Sequence, residues 1–183
     1  MRRMVFGLSG EPGSGKDTVK EYLIERYNAE SLGFSLVLKD ILNRLSIPLE
    51  RANYASLAEA LRTSFGEAIL ASGLALDVAR TAKPMVAIDG IRKLAELEEL
   101  RKIGNFRCIF VEADMRVRYE RVKMRGMKAD DAGKTFEAFV RDHEHAADKD
   151  VRNLRSEADF VIENNGTLEE LYKNLDEIMK NFS

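Results

Sequence analysis

The chain has 183 residues, 45% of them hydrophobic and 33% charged, which suits one domain able to bury a real core. Its 29 basic and 31 acidic residues nearly cancel to −2, so bulk polyanion binding is excluded and any phosphate chemistry must come from local clusters. A single cysteine, Cys108, leaves no internal disulfide and argues against a Cys-rich zinc site, and no stretch reaches the ~18 apolar residues of a membrane span.

Met4 to Leu8 is a short apolar run that ends in the turn-rich segment Ser9 to Gly15. A run apolar on both sides suits a strand buried in a parallel sheet. It is too short for a secretion signal, so with the lone cysteine it points to a cytoplasmic protein. Val19, Tyr22, Leu23, Arg26 and Tyr27 follow at helical spacing, completing a strand, glycine loop and helix. Residues 29–35 are read as a second short strand and 36–45 as a helix. Beyond Pro48 and Asn53 a longer helical region carries Leu57, Leu61, Phe65, Ala68, Ile69, Ser72 and Ala75, with Gly66 and Gly73 as bend points.

Pro84 to Asp89 is a third strand, and Leu94, Leu97, Leu100 and Ile103 mark a helix closed near Gly104. Phe106 to Val111 is the fourth strand, followed by a helix from about Met115 to Arg125. Residues 126–134 are polar, glycine-bearing and without apolar period, hence a loop. Phe136, Phe139, Val140, His143 and Ala147 mark another helix, and Ala158 to Ile162 a fifth strand. Asn164, Asn165, Gly166 and Thr167 form a turn ending in an N-cap for the amphipathic helix of Leu168, Leu171, Leu175, Ile178 and Phe182. Strands alternating with helices predict a three-layer α/β/α fold with a five-stranded parallel sheet.

The strongest chemical signal is Gly10-Glu11-Pro12-Gly13-Ser14-Gly15-Lys16-Asp17-Thr18. The spacing Gly-x4-Gly-Lys lets backbone amides point inward around a phosphate, Lys16 reach the β- and γ-phosphates, and the next helix add its positive end. Asp17 stands where a Ser or Thr hydroxyl ordinarily meets Mg²⁺, and an acid beside a triphosphate is unfavourable unless a cation or water shell intervenes. It holds Mg²⁺ through water or simply favours the first turn of its helix. Asp89, at the carboxyl end of a strand, is placed to orient Mg²⁺ through water or to cap the following turn. Arg92 reaches a second phosphate or is a solvated helix-start arginine. Arg118, Arg121 and Arg125 share one helix face, and positioned arginines stabilise the charge that spreads over a phosphoryl group in transfer. The loop 126–134 then reads as a lid that keeps water from the reaction. His143 and Cys108 read as core residues, and neither histidine has a metal-ligand cluster around it.

The loop resembles that of adenylate kinase and its relatives, in which Gly-x-Pro-Gly-x-Gly-Lys is followed by a non-hydroxyl residue and then Thr. Ile88-Asp-Gly-Ile-Arg92 is similar to the family's strand ending in Asp-Gly, and Arg118 to Gly126 to its arginine-bearing helix leading into the lid. Glu163 to Leu171 is similar to the last strand and helix of dephospho-CoA kinases and of archaeal kinase-like proteins. The resemblance implies a P-loop kinase of the nucleoside-monophosphate type, with a core of 1–34, 83–125 and 135–183, an acceptor lobe of 35–82 and a lid of 126–134.

It implies ATP bound by Gly10, Glu11, Gly13, Ser14, Gly15, Lys16, Asp17, Thr18 and Arg121, with the Asn165-Gly166-Thr167 turn at the adenine. Mg²⁺ would lie near Asp17, Thr18 and Asp89, reached through water. Lys16, Arg121, Arg125 and Asp89 would be catalytic, and Ser35, Lys39, Arg62, Arg92 and Arg141 would hold a small phosphorylated acceptor. A dephospho-CoA kinase is the alternative enzyme, and a regulatory NTP-binding protein the alternative class. The chain lacks the Asn-Lys-x-Asp that reads guanine, and its near-zero charge argues against a nucleic-acid partner.

Overall fold

The computed structural model describes residues 3–125, 135–143 and 146–182. In chain order they form β1 (Met4–Ser9), α1 (Lys16–Tyr27), β2 (Glu30–Gly33), α2 (Phe34–Arg44), α3 (Arg51–Phe65), α4 (Ile69–Arg80) and β3 (Met85–Asp89). They continue as α5 (Leu94–Arg101), β4 (Phe106–Glu112), α6 (Met115–Arg125), α7 (Phe136–His143), α8 (Ala146–Asn153), β5 (Phe160–Glu163) and α9 (Leu168–Lys180).

The five strands make one sheet in the order β2-β3-β1-β4-β5, and every pairing is parallel. Alternation along β1 explains the layers. Val5 points to a core built with Ala71, Leu74 and Val78 of α4, Leu97 and Leu100 of α5, and Val151 of α8. Phe6 and Leu8 point to the opposite core, with Val19 and Leu23 of α1 and Leu171, Leu175 and Met179 of α9. The fold is therefore the α/β/α sandwich that the alternating pattern predicts, with β1 buried at its centre because both faces are apolar.

Adjacent strands β1 and β3 send their chains onto opposite faces, to α1 and α5, which opens a crevice at their carboxyl ends. Among the described residues no helix is long and apolar enough to cross a membrane.

Several boundaries differ from the periodicity. The long helical region after Pro48 is two helices, because Gly66 turns the chain with φ +96 and ends α3. The apolar spacing ran through this break because α4 resumes burial at Leu70, Ala71 and Leu74 on the sheet side. The second strand is only Glu30–Gly33, so α2 starts at Phe34 and not at Leu36. The helical pattern of Phe136 to Ala147 is likewise shared by two helices, the second reaching Asn153.

Candidate active site

The loop between β1 and α1 sits over the crevice. Gly10 has φ +142 and Gly13 φ +79, in the region that side chains resist, and a Cβ on Gly10 would lie 2.1 Å from the Val111 carbonyl oxygen. A Cβ on Gly13 would lie 2.6 Å from the Arg118 carbonyl oxygen, so the loop is seated directly on β4 and α6. Gly15 caps α1 in the left-handed conformation, which turns the first helical amides toward the loop's concave side. Lys16 donates from Nζ to the Glu11 carbonyl oxygen at 3.1 Å, lying along the loop. The Ser14 carbonyl oxygen accepts from Asn164 Nδ2 at 2.8 Å and from Arg121 Nη1 at 3.4 Å.

Gly13, Gly15 and Thr18 line a cleft of about 360 Å³ together with Arg121, Asn164 and Gly166, and Met124, Leu168 and Leu171 supply its apolar wall. Phosphate-loop amides at one end and an apolar wall at the other fit the two ends of a nucleotide. Burial lowers the pKa of the Arg121 guanidinium, yet it stays cationic across the physiological range. Asn165 accepts at Oδ1 from the Asp114 amide at 2.7 Å, which holds the turn against β4. Thr167 caps α9, accepting from the Glu170 amide while Glu170 accepts from the Thr167 amide at 2.8 Å. Asn164, read from the sequence only as part of this turn, is the buried link between it and the phosphate loop.

Glu11 is held by two arginines. Its Oε2 lies 3.2 Å from Arg118 Nη2 and its Oε1 3.2 Å from Arg152 Nη1. Arg118, buried to 3% exposure, thus ties the loop to α6 and does not face the cleft as Arg121 does. The Arg125 side chain and the 126–134 lid lie outside the described residues, as does His145. His143 is buried and shares a hydrogen bond from Nδ1 with the Phe139 carbonyl at 2.8 Å. Cys108 is fully buried, and burial pushes its thiol up to about 12.

Asp17 and Asp89 converge on one ammonium, which sequence reasoning missed. Lys20 Nζ is 3.0 Å from Asp89 Oδ2 and 3.4 Å from Asp17 Oδ1. Burial works against the charge of Lys20, but the two carboxylates outweigh it and raise its pKa. The only available sequence signal was the i, i+3 spacing from Asp17; the Asp89 contact spans 69 residues. Asp17, Asp89 and Thr18 are all hard oxygen donors, and Mg²⁺ is habitually held by one or two carboxylates with substrate phosphates. Among the described residues no group of three His, Cys, Asp or Glu side chains is placed to hold a metal, so the donor set fits Mg²⁺ only as a companion of bound phosphates.

A second cleft, of about 560 Å³, opens between α2, α3 and the segment after β3. It brings together Ser35, Arg62 and Arg92 of the expected acceptor residues, with Phe34, Tyr54 and Arg51 beside them. Arg62 is already engaged: its Nη2 lies 2.8 Å from Oε1 of Glu96, a carboxylate only 1% exposed. Glu96 Oε2 accepts the Arg92 amide at 3.0 Å and the Lys93 amide at 3.2 Å, so one buried carboxylate fixes both Arg62 and the start of α5. Arg51, Tyr54 and Glu96 escaped the sequence reading because nothing in their spacing ties α3 to α5. Lys39 is exposed on α2 and Arg141 on α7, both apart from the linings of the two clefts.

A glycine loop seated between a buried strand and a helix, at the crevice of a five-stranded parallel sheet, defines a P-loop protein with the fold of nucleoside-monophosphate kinases. A family profile described as an AAA domain matches residues 7–142. A UPF0200 protein of Hyperthermus butylicus is 30% identical over 173 residues, spanning 92% of this chain and 89% of its own. A UPF0200 protein of Sulfurisphaera tokodaii is 29% identical over 177 residues, 96% of each chain. The chain belongs to the UPF0200 family of P-loop AAA-domain proteins. Among solved structures, TT1252 from Thermus thermophilus superposes with a TM-score of 0.65 at 20% identity over 100% of both chains. Shikimate kinase from Bacteroides thetaiotaomicron does so with 0.62 at 15% identity over 98% of each.

Proposed function

We propose that this protein is an ATP-dependent phosphotransferase that moves the γ-phosphoryl group of ATP to a small phosphorylated acceptor, a nucleoside monophosphate first among them. The observation that carries the reading is a pair of clefts that follow adjacent strands, one on the phosphate loop after β1 and one beside the segment after β3. One is headed by the phosphate loop and Arg121; the other is lined by Gly90, Arg92 and Ser35. The shared fold of shikimate kinase, a small-molecule kinase by its name, supports the same class of reaction.

In this reading Lys16 and the loop amides hold the β- and γ-phosphates, and the apolar wall by Met124 and Leu168 receives the base. Asp17, Thr18 and Asp89 would hold Mg²⁺ through water, and the ion when bound would supply positive charge to the phosphate oxygens. Arg121 is the donor aimed at the moving group, and Arg125, one turn further along the sequence of α6, is assigned the same role. Arg92 and Ser35 orient the acceptor, while Arg62, fixed on Glu96, shapes the cleft wall and adds its field. The acceptor oxygen forms the new bond to phosphorus and the β–γ bridging oxygen leaves with ADP, so no covalent protein intermediate is needed.

The test is ADP formation from ATP with Mg²⁺, with and without each of AMP, CMP, UMP, GMP, their deoxy forms and dephospho-CoA. One acceptor should raise turnover well above background, and Lys16→Ala should abolish it. Stimulation by dephospho-CoA alone would select the alternative enzyme. ATP binding with no acceptor effect would overturn transfer to these molecules and favour a regulatory nucleotide-binding role.

A further inference from the structure

Asp17 puts a carboxylate directly after Lys16 at the start of α1, beside the phosphate loop. A negative charge beside a polyphosphate repels it, and the repulsion is strongest where protein shields the pair from water. The fold places a cation against this residue. Lys20 lies one turn along α1, with Nζ 3.4 Å from Asp17 Oδ1 and 3.0 Å from Asp89 Oδ2. The Lys20 side chain is 22% exposed and that of Asp89 28%, so this bridge is less open to salt and water than an ordinary surface pair.

We infer that Lys20 is the built-in counter-cation that lets this phosphate loop carry Asp17, and that the two residues act as one nucleotide-positioning unit. Lys20 offsets the charge of Asp17 and Asp89, the two carboxylates that its ammonium bridges. The polyphosphate then meets Lys16 and the helix N-terminus without two opposing charges beside them. Lys20 is a positioning residue, acting on the nucleotide through the carboxylates it holds. The inference rests on the reading that the loop binds a nucleotide.

The experiment is a titration of the wild-type protein and its variants with a fluorescent N-methylanthraniloyl ATP in EDTA. Without a divalent ion, any metal-holding role of the carboxylates does not enter the reading. Lys20→Met is expected to raise Kd about tenfold, because it removes one cation that faces two carboxylates. Adding Asp17→Asn to Lys20→Met should return Kd to within about threefold of wild type, as a coupled pair requires. Lys20→Arg, which keeps the charge, should bind within about threefold of wild type. Asp17→Asn alone should bind as tightly as wild type or more tightly, and it tests the idea even where Lys20→Met fails to fold.

Wild-type binding by Lys20→Met, no recovery in the double variant, or weakened binding by Asp17→Asn would each overturn the inference. Lys16→Ala in the same series separates the two levels. If wild type and Lys16→Ala bind alike, the nucleotide reading itself fails; if only the Lys20 effects are missing, that reading survives and the counter-cation does not.

Discussion

Arg121 and Arg118 sit three residues apart on one helix and have different work. Arg118 is buried against Glu11, whereas Arg121 lines the cleft and reaches the Ser14 carbonyl oxygen at 3.4 Å. A guanidinium aimed where charge spreads in transfer acts on kcat more than on ground-state binding. Arg121→Met is therefore expected to lower kcat by about 10²–10³ while changing the KM for ATP by only a few fold. Steady-state kinetics with the acceptor found in the panel checks this, and a loss confined to KM would remove Arg121 from the transfer step. The same residue-level logic separates Arg62 from Arg92: the first is spent on a buried carboxylate, and the second lines the cleft with only its backbone amide engaged by Glu96.

At the scale of elements, α1 and α9 lie side by side on one face of the sheet and are joined by a polar knot. Tyr22 and Tyr27 both donate to Asp176 Oδ1 at 2.7 Å, and Tyr22 stacks on Tyr172 with centroids 4.1 Å apart. Burial first, then the bond to Asp176, pushes the Tyr27 hydroxyl from 10.0 up to about 12. The folded protein thus holds this proton more tightly than the unfolded chain. Its contribution is complete below the unfolded value and is lost as pH rises through the folded one. The bond from Tyr27, followed by that from Tyr22, lowers the pKa of Asp176, so its contribution is lost at the acid end, as pH falls through the lowered value. Thermal denaturation should show Tm falling above pH about 10, and Tyr27→Phe should make that fall shallower. An unchanged alkaline slope in the variant would show that the knot does not govern it.

At the scale of the molecule, the second cleft depends on how α3 is tied to the main body. Ala58 and Leu70 join Leu38 in a small core under α2, but the polar tie is Arg62 of α3 on Glu96 of α5. Removing a buried carboxylate leaves Arg62 and two backbone amides without their acceptor. Glu96→Ala is expected to cost about 3 kcal/mol of unfolding free energy, read as a lower urea midpoint with an unchanged m value. If acceptor binding needs the tie, the KM for the acceptor rises in the same variant while that for ATP holds. A variant as stable as wild type would show that the tie is not structural.

Much of this protein is determined locally. Alternating apolar strands and amphipathic helices, the positive-φ glycines before Lys16 and the Thr167 cap are all settled by neighbours a few residues away, so the sequence alone specified the α/β/α class, the phosphate loop and the last helix. The break at Gly66 was visible only as a bend point, because the apolar spacing continues across it on the far side of the turn. What the tertiary structure decided is which charges meet. Lys20 finds Asp89 across 69 residues, Arg62 finds Glu96 across 34, and Arg152 finds Glu11 across 141. Those pairings follow from the strand order that puts β1 between β3 and β4. An arginine or aspartate has the same sequence signature whether it faces a ligand or a partner, and only the packed sheet fixes which of the two it does.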